Sequence, residues 1–486
     1  MRVFSRLGLF LVAIAGVLVL SVTPAFAVVT LTKISQDTFT NPTSQHKTQV
    51  EPDSFSFGST IVSVVQTGRF FDGGASDIAF ATSQNNGSTW TTGNLPGITV
   101  FGGGTYDRVS DPAVAYDAQD GVWLVSTLAL TEAGGVSGAA VLTSRSTDGG
   151  LTWSNPVTTA TGGDVDKNWI VCDNSASSPF YGNCYTQWDV FSLGDRIRMS
   201  TSTDGGLTWG AAKTPKGNPA GLGGQPVVQP NGTVIVPVAN ASETAVGAFR
   251  STDGGDSWSR VTTISTVPSH TVAGGLRSGP LPSAEIDATG KVYVVWQDCR
   301  FRSGCTANDI VMSTSTNGTT WTAVARIPID PTNSGADHFI PGLAVDKTTS
   351  GTTAHLGLTY YYYPATSCTF ATCQLDVGFI SSTNGGSTWS TPTQLAGPMQ
   401  LAWIADTSQG RMVGDYISTS YGSDGLAHPF FTVGNDPTGT GFAFDEALYT
   451  TSTGLALASG ANTGELWPGG SPATAPGADH RHYHHA

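Results

Sequence analysis

Along most of the chain, runs of four to ten residues alternate apolar and polar positions and are broken by Gly, Asn, Asp, Ser and Pro. That is the period-2 pattern of half-buried strands punctuated by turns. Residues 113–116, 122–130 and 138–145 are three such runs, and a fourth begins at Thr152. The same four-run plan recurs. Strands are expected at 50–57, 59–68 and 77–83, then 169–173, 184–191 and 196–203, then 226–229, 233–239 and 245–251. Further runs follow at 284–287, 291–297 and 309–315, and at 342–346, 354–363 and 376–382. The chain therefore reads as all-β, built from repeated antiparallel four-strand units, with strands A to D running from the inside outward.

The turn between strands C and D carries the most specific signal. Ser146-Thr147-Asp148-Gly149-Gly150-Leu151-Thr152-Trp153 recurs in close copies that end at Trp90, Trp209, Trp258, Trp321 and Trp389. Spacings of 63, 56, 49, 63 and 68 residues are too irregular for a solenoid with fixed rungs, but suit four strands with variable loops. In a tight turn the Asp or Asn accepts backbone N–H groups, glycine takes the positive φ, and the Trp buries its ring.

These six boxes resemble the Asp-box of sialidases and other bacterial-neuraminidase-type repeats. The resemblance implies a β-propeller. After the sixth box, runs at 412–420, 428–433 and 444–451 lack a fourth strand, which residues 28–34 would supply, closing a seventh blade. Seven blades of four-stranded antiparallel sheet are expected, with six blades and an accessory layer as the alternative.

Arg2 and Arg6, the apolar run 7–22 and Ala25-Phe26-Ala27 predict a secretory signal peptide at 1–27. A single propeller domain is expected over 28–465 and a disordered His-rich tail over 466–486. Cleavage removes two of 22 basic residues and none of 36 acidic ones, leaving 20 against 36, a net −16. So acidic a chain disfavours nucleic acid and anionic membranes. A secreted, extracellular monomer meeting carbohydrate, with no membrane contact after cleavage, is the expectation. The cysteines fall in close pairs, Cys172/Cys184, Cys299/Cys305 and Cys368/Cys373. Disulfides are expected rather than a metal site, which lacks a Cys-x-x-Cys spacing or an adjacent His.

In an antiparallel meander the starts of A strands and ends of B strands share the face opposite the boxes, so the pocket is expected there. Asp166, Glu285, Asp415 and Tyr416 are the candidate catalytic residues, and Arg69, Arg108, Trp188, Asp298, Arg300, His338 and Arg411 the candidate substrate-binding ones. Paired carboxylates suit general acid–base cleavage of glycosides, arginines an anionic sugar, and aromatic faces a sugar ring. The resemblance further implies a Tyr nucleophile assisted by Glu, an Asp acid/base and three arginines. Tyr416 with Glu285 would be the nucleophile pair. Arg326-Ile327-Pro328 matches the Arg-Ile-Pro motif of those enzymes in letters only, since it falls on an outer strand. A secreted sialidase-like glycoside hydrolase is the leading expectation, with a non-catalytic glycan- or protein-binding propeller and a propeller polysaccharide lyase as alternatives. No cofactor is expected, and structural Ca²⁺ on loop carboxylates stays open.

Overall fold

The structure, a computed structural model, describes residues 29–458 and 462–463. The signal peptide expected at 1–27, the tail expected at 466–486 and both ends of the expected domain lie outside them.

The described chain is a β-propeller of antiparallel sheets. Strands Gln49–Phe57, Thr60–Arg69, Ala75–Ser83 and Thr91–Asn94 pair in sequence order, as do Arg108–Asp117, Val122–Thr131, Ser137–Ser146 and Val157–Thr161. Val165–Cys172, Cys184–Val190 and Arg198–Ser202 form a three-stranded sheet. Four-stranded sheets follow from Val227–Val228 to Thr262–Thr266, from Ser283–Ile286 to Ala325–Arg326, and from Asp337–Val345 to Thr393–Gln400. A last sheet sets Ser418–Tyr421, Ala427–Gly434 and Glu446–Thr451 beside Leu31–Lys33, the N-terminal strand pairing with the C-terminal one.

Hydrogen bonding does not divide the strands into seven, or six, separate four-stranded blades. The Ala75–Val109 pair bridges the first two units into one eight-stranded sheet. The third unit lacks an outer strand, because the segment after its box, interrupted by Pro215 and Pro219, meets its neighbour in isolated pairs, Met199 with Lys213 and Arg196 with Ala220.

Each box does two jobs. Within the turn, Ser146 Oγ accepts the Gly150 N–H at 2.9 Å, while Asp148 Oδ1 accepts the N–H groups of Leu151 and Thr152, both at 3.0 Å. Burial would raise the Asp148 carboxyl, but hydrogen bonds from Thr152, Ser146 and Leu151 pull it down to about 2. The same pattern recurs at Asn85, Asp204, Asp253, Asn317 and Asn384. Between units, the Gly150 carbonyl accepts the Thr82 hydroxyl at 2.6 Å, and the Trp153 ring lies 6.0 Å from Phe80. Gly150 sits at φ 84°, and a Cβ there would lie 2.7 Å from Val62, so both conformation and space demand glycine. The box thus pins its own turn and docks on the preceding unit, where Val62, Val64, Val114, Trp123 and Trp153 form one buried cluster.

The three disulfides join Cys172 to Cys184, Cys299 to Cys305 and Cys368 to Cys373, as expected.

Candidate active site

Four inner strands carry the same irregularity. Their register shifts between Val50 and Asp53, Ser110 and Ala113, Asp166 and Trp169, and Phe339 and Gly342. The bulged residues Glu51, Asp111, Lys167 and Ile340 all have positive φ, 59°, 46°, 47° and 49°. A bulge leaves a residue outside the ladder, which explains why proline follows at positions 52, 112 and 341.

Three of these bulges carry side chains that meet near the propeller axis. Lys167 Nζ lies 2.6 Å from Asp415, 3.3 Å from Asp111 and 3.5 Å from Glu51. Arg277 grips Asp415 with two hydrogen bonds, at 2.7 and 2.5 Å. Gln66 donates to Glu51 and accepts from Arg69 at 3.0 Å. Each of Lys167, Glu51, Asp111, Asp415 and Arg277 is about 97% buried or more at the side chain. Burial lifts the Glu51 carboxyl to about 8, against the pull of Lys167. Burial disfavours charge on Lys167 too, yet Asp111, Asp415 and Glu51 outweigh it and hold the ammonium protonated.

The loop before Ser283 packs beside the hub, with Leu276 bridged to Arg411 and the Arg277 N–H donating to the Arg411 carbonyl at 2.7 Å. At the strand starts expected to line a pocket opposite the boxes, these charged side chains pair with one another in an ion-pair hub. Open space lies at the other end, among the A–B turns on the box side. A cavity of about 500 Å³ is lined there by Asp53, Trp169, Glu285, Lys347 and Ser418 among others. Trp169 packs edge-on against Tyr416 at 4.9 Å, so these two rings separate the cavity from the hub.

The predicted residues distribute accordingly. Glu285 faces the cavity, its side chain 25% exposed and 4.0 Å from Lys347. Burial raises its carboxyl, with Lys347 pulling the other way. Asp415 and Tyr416 belong to the hub side. The Tyr416 hydroxyl donates to the Pro112 carbonyl at 3.2 Å, and burial pushes its pKa well above the ordinary tyrosine value, so it stays protonated. Asp166 pairs across strands with Asp189, and burial raises both carboxyls well above the usual range.

The candidate arginines do not converge. Arg69 is in the hub, whereas Arg108 pairs with Asp72 and Glu132 at 2.5 and 2.6 Å. Arg300 holds Asp298 at 2.7 Å and the Thr266 carbonyl, which fixes the Cys299–Cys305 loop. Arg411 donates to the Ile404 carbonyl at 3.0 Å beneath Phe370. Trp188 is core, packed with Val190 and Leu128. His338 is buried near the rings of Tyr360 and Tyr362, with Nδ1 3.3 Å from the Asn308 carbonyl.

Asp309, Asp330 and His338 bring potential ligand atoms within 4.8 Å of one another. Arg302 and Arg326 already neutralise both carboxylates at 2.5–2.8 Å, which opposes a divalent ion there. The same contacts give Arg326 of the Arg-Ile-Pro triplet a structural role.

Two important residues escaped the sequence reading. Arg277 sits in a loop with no periodic cue. Asp53 is one of many acids at strand starts, and the signal that marks it is its place two residues beyond a bulge, beside Pro52. Its Oδ2 accepts the Val114 N–H at 2.8 Å. Burial lifts this carboxyl to about 7, against the Val114 and Ser54 N–H groups, and the charge of Glu285 adds to the rise.

Residues 180–342 match the BNR repeat-like domain family. No curated protein matches the chain. Among solved structures, an ulvan lyase, a polysaccharide lyase bound to a GlcA(1-4)Rha3S saccharide, aligns with TM-score 0.50 at 10% identity over 88% of this chain and 95% of that one. A Dyadobacter fermentans protein of unknown function gives 0.47 at 16% identity, over 74% of this chain and all of that one. A Hadza microbial sialidase gives 0.43 at 15% identity, over 85% of this chain and 66% of that one. At such identities the likeness concerns fold alone. The matched segment spans three of the six boxes, and all six occupy the same turn of the repeating unit, so residues 180–342 are similar to the BNR repeat-like family within a chain whose fold is a β-propeller.

Proposed function

We propose that the protein is an extracellular glycan-active propeller, a glycoside hydrolase whose substrate enters the cavity on the box side and is cleaved between Asp53 and Glu285. One observation carries the reading: in the open cavity of about 500 Å³, two carboxyls are held away from the ordinary acid range, one of them at about 7. Two carboxyls in different surroundings are what acid–base cleavage of a glycoside requires. Asp53, buried and protonated up to neutral pH, is the proton donor. Glu285, exposed to the cavity and beside Lys347, is the carboxylate that acts on water or on the sugar. The Trp169 ring supplies an apolar face at the floor, and the hydroxyls of Ser54 and Ser418 supply hydrogen-bonding groups.

The ring itself we read as seven radial units. The eight-stranded sheet counts as two joined at Ala75–Val109, and the N-terminal strand completes the last. Three disulfides favour an oxidising compartment and hence secretion. A monomer acting on carbohydrate needs no cofactor in this scheme.

Elimination is the second reading, favoured by Lys347, whose cation at the mouth would neutralise a uronate carboxylate. The test is product analysis on a panel of acidic and neutral glycans, comparing wild type with Glu285→Gln and Asp53→Asn. A new reducing end with a saturated partner, reduced about 10²-fold or more by either change in a folded protein, supports hydrolysis. An unsaturated sugar end supports elimination. Full activity in both variants, with loss in Asp415→Asn, would move the chemistry to the hub.

A further inference from the structure

The charge of the cavity, read within the proposal that it is the saccharide site, points to a substrate class different from a sialic acid. Its lining includes the carboxyls of Asp53, Glu285, Asp287 and Asp346, the single ammonium of Lys347, and no arginine. Counting every carboxyl as ionised gives four negative charges against one positive. With Asp53 protonated at about 7 the balance is still three to one. Asp287 is firmly ionised: burial would raise its carboxyl, but the N–H groups of Gly351, Lys291 and Thr289 and the Thr289 hydroxyl hold it low.

Of the arginines expected to grip a sugar carboxylate, Arg69 is locked in the hub and Arg108, Arg300 and Arg411 are committed to partners elsewhere. Lys347 is shared as well, lying 4.0 Å from Glu285 and 4.2 Å from the centre of the Phe55 ring. An anionic sugar entering this mouth would face a net negative wall, whereas a protonated amine would be drawn in.

We propose that the cavity selects saccharides bearing a free amine, glucosamine-type units whose ammonium sits among Glu285, Asp287 and Asp346. The sugar ring then lies over Trp169, and the ammonium adds a positive charge to a wall whose nearest basic groups are Lys347, 4.0 Å from Glu285, and the His355 ring, 3.5 Å from Asp346. An N-acetylated unit keeps the stacking and loses the charge attraction. A uronate reverses its sign.

The experiment is calorimetric titration of the full-length mature protein at pH 6 with three trisaccharides: glucosamine trimer, N-acetylglucosamine trimer and galacturonate trimer, at low and high salt. The expected order is amine, then acetylated, then acid. A preference for amine over acetylated of about tenfold at low salt should shrink several-fold at high salt. Lys347→Met, a change at a half-exposed side chain, should widen that preference, and Glu285→Gln should narrow it. Equal or weaker binding of the amine overturns the inference and leaves the saccharide site standing. An amine preference untouched by both substitutions also overturns it, because the attraction would then arise from the acidic surface at large. Failure of all three sugars to bind overturns the site itself.

Discussion

The Lys167 ammonium and the Asp415 carboxylate meet at 2.6 Å, although 248 residues separate them in the chain. Asp415 is at the same time clamped by Arg277. One carboxylate therefore joins an inner strand of the third unit, the last unit and the loop before Ser283. Breaking one member of a buried ion pair leaves the other charge unpaired in a poorly solvated place. Lys167→Met and Asp415→Asn are each expected to lose about 3–5 kcal/mol in denaturant unfolding, with strong coupling in the double variant.

Stability should fall as pH rises from about 4 to about 8. Glu51, Asp53 and Asp77 are raised by burial to about 8, 7 and 8 from ordinary values of 4.5, 3.8 and 3.8. Acids raised in the folded state keep protons that the unfolded chain has released. Their contribution is fully present below the unfolded value and is lost as pH passes the folded one. Asp77 isolates the effect, since its Oδ1 accepts the Ile78 N–H at 2.9 Å and its Oδ2 is buried without a hydrogen bond. Asp77→Asn keeps the first contact and removes the ionisation. It should flatten the melting temperature against pH and raise it above wild type at pH 9, as scanning calorimetry would show.

Catalysis should depend on pH in the sense set by Asp53. A donor lifted to about 7 loses its proton as pH passes that value, so kcat/KM should decline on the alkaline side near 7. Asp53→Asn should remove that limb along with most of the rate. If the limb keeps its midpoint in the residual activity of Asp53→Asn, another group is the donor.

The box turns should show two distinct costs. Asp148→Ala removes the acceptor of the Leu151 and Thr152 N–H groups at an exposed turn, a loss of about 1 kcal/mol. Trp153→Ala empties a ring from the cluster between two units and should lose about 3–5 kcal/mol. Urea unfolding of the two variants would separate them.

Removing the Cys172–Cys184 bridge by a double Ala substitution should cost about 3 kcal/mol in the chain-entropy account. It links adjacent strands Val165–Cys172 and Cys184–Val190, so wild-type protein in reductant should show a similar loss.

The features legible in the sequence were local. Alternation marks strands, the box from Ser146 to Trp153 marks its turn, and near-neighbour cysteines pair, because each of these rests on groups a few residues apart. The pairing of the N-terminal strand with the last one was also legible, from three runs that needed a fourth. The location of the open cavity was decided by tertiary structure alone. At the strand starts expected to line a pocket, Asp415 instead joins Glu51, Asp111 and Lys167 in one ion-pair hub, once bulges turn the latter three inward and Arg277 arrives from a loop. Whether a carboxylate is a reagent or a rivet depends on which charges and how much water reach it, and residues hundreds of positions apart settle both.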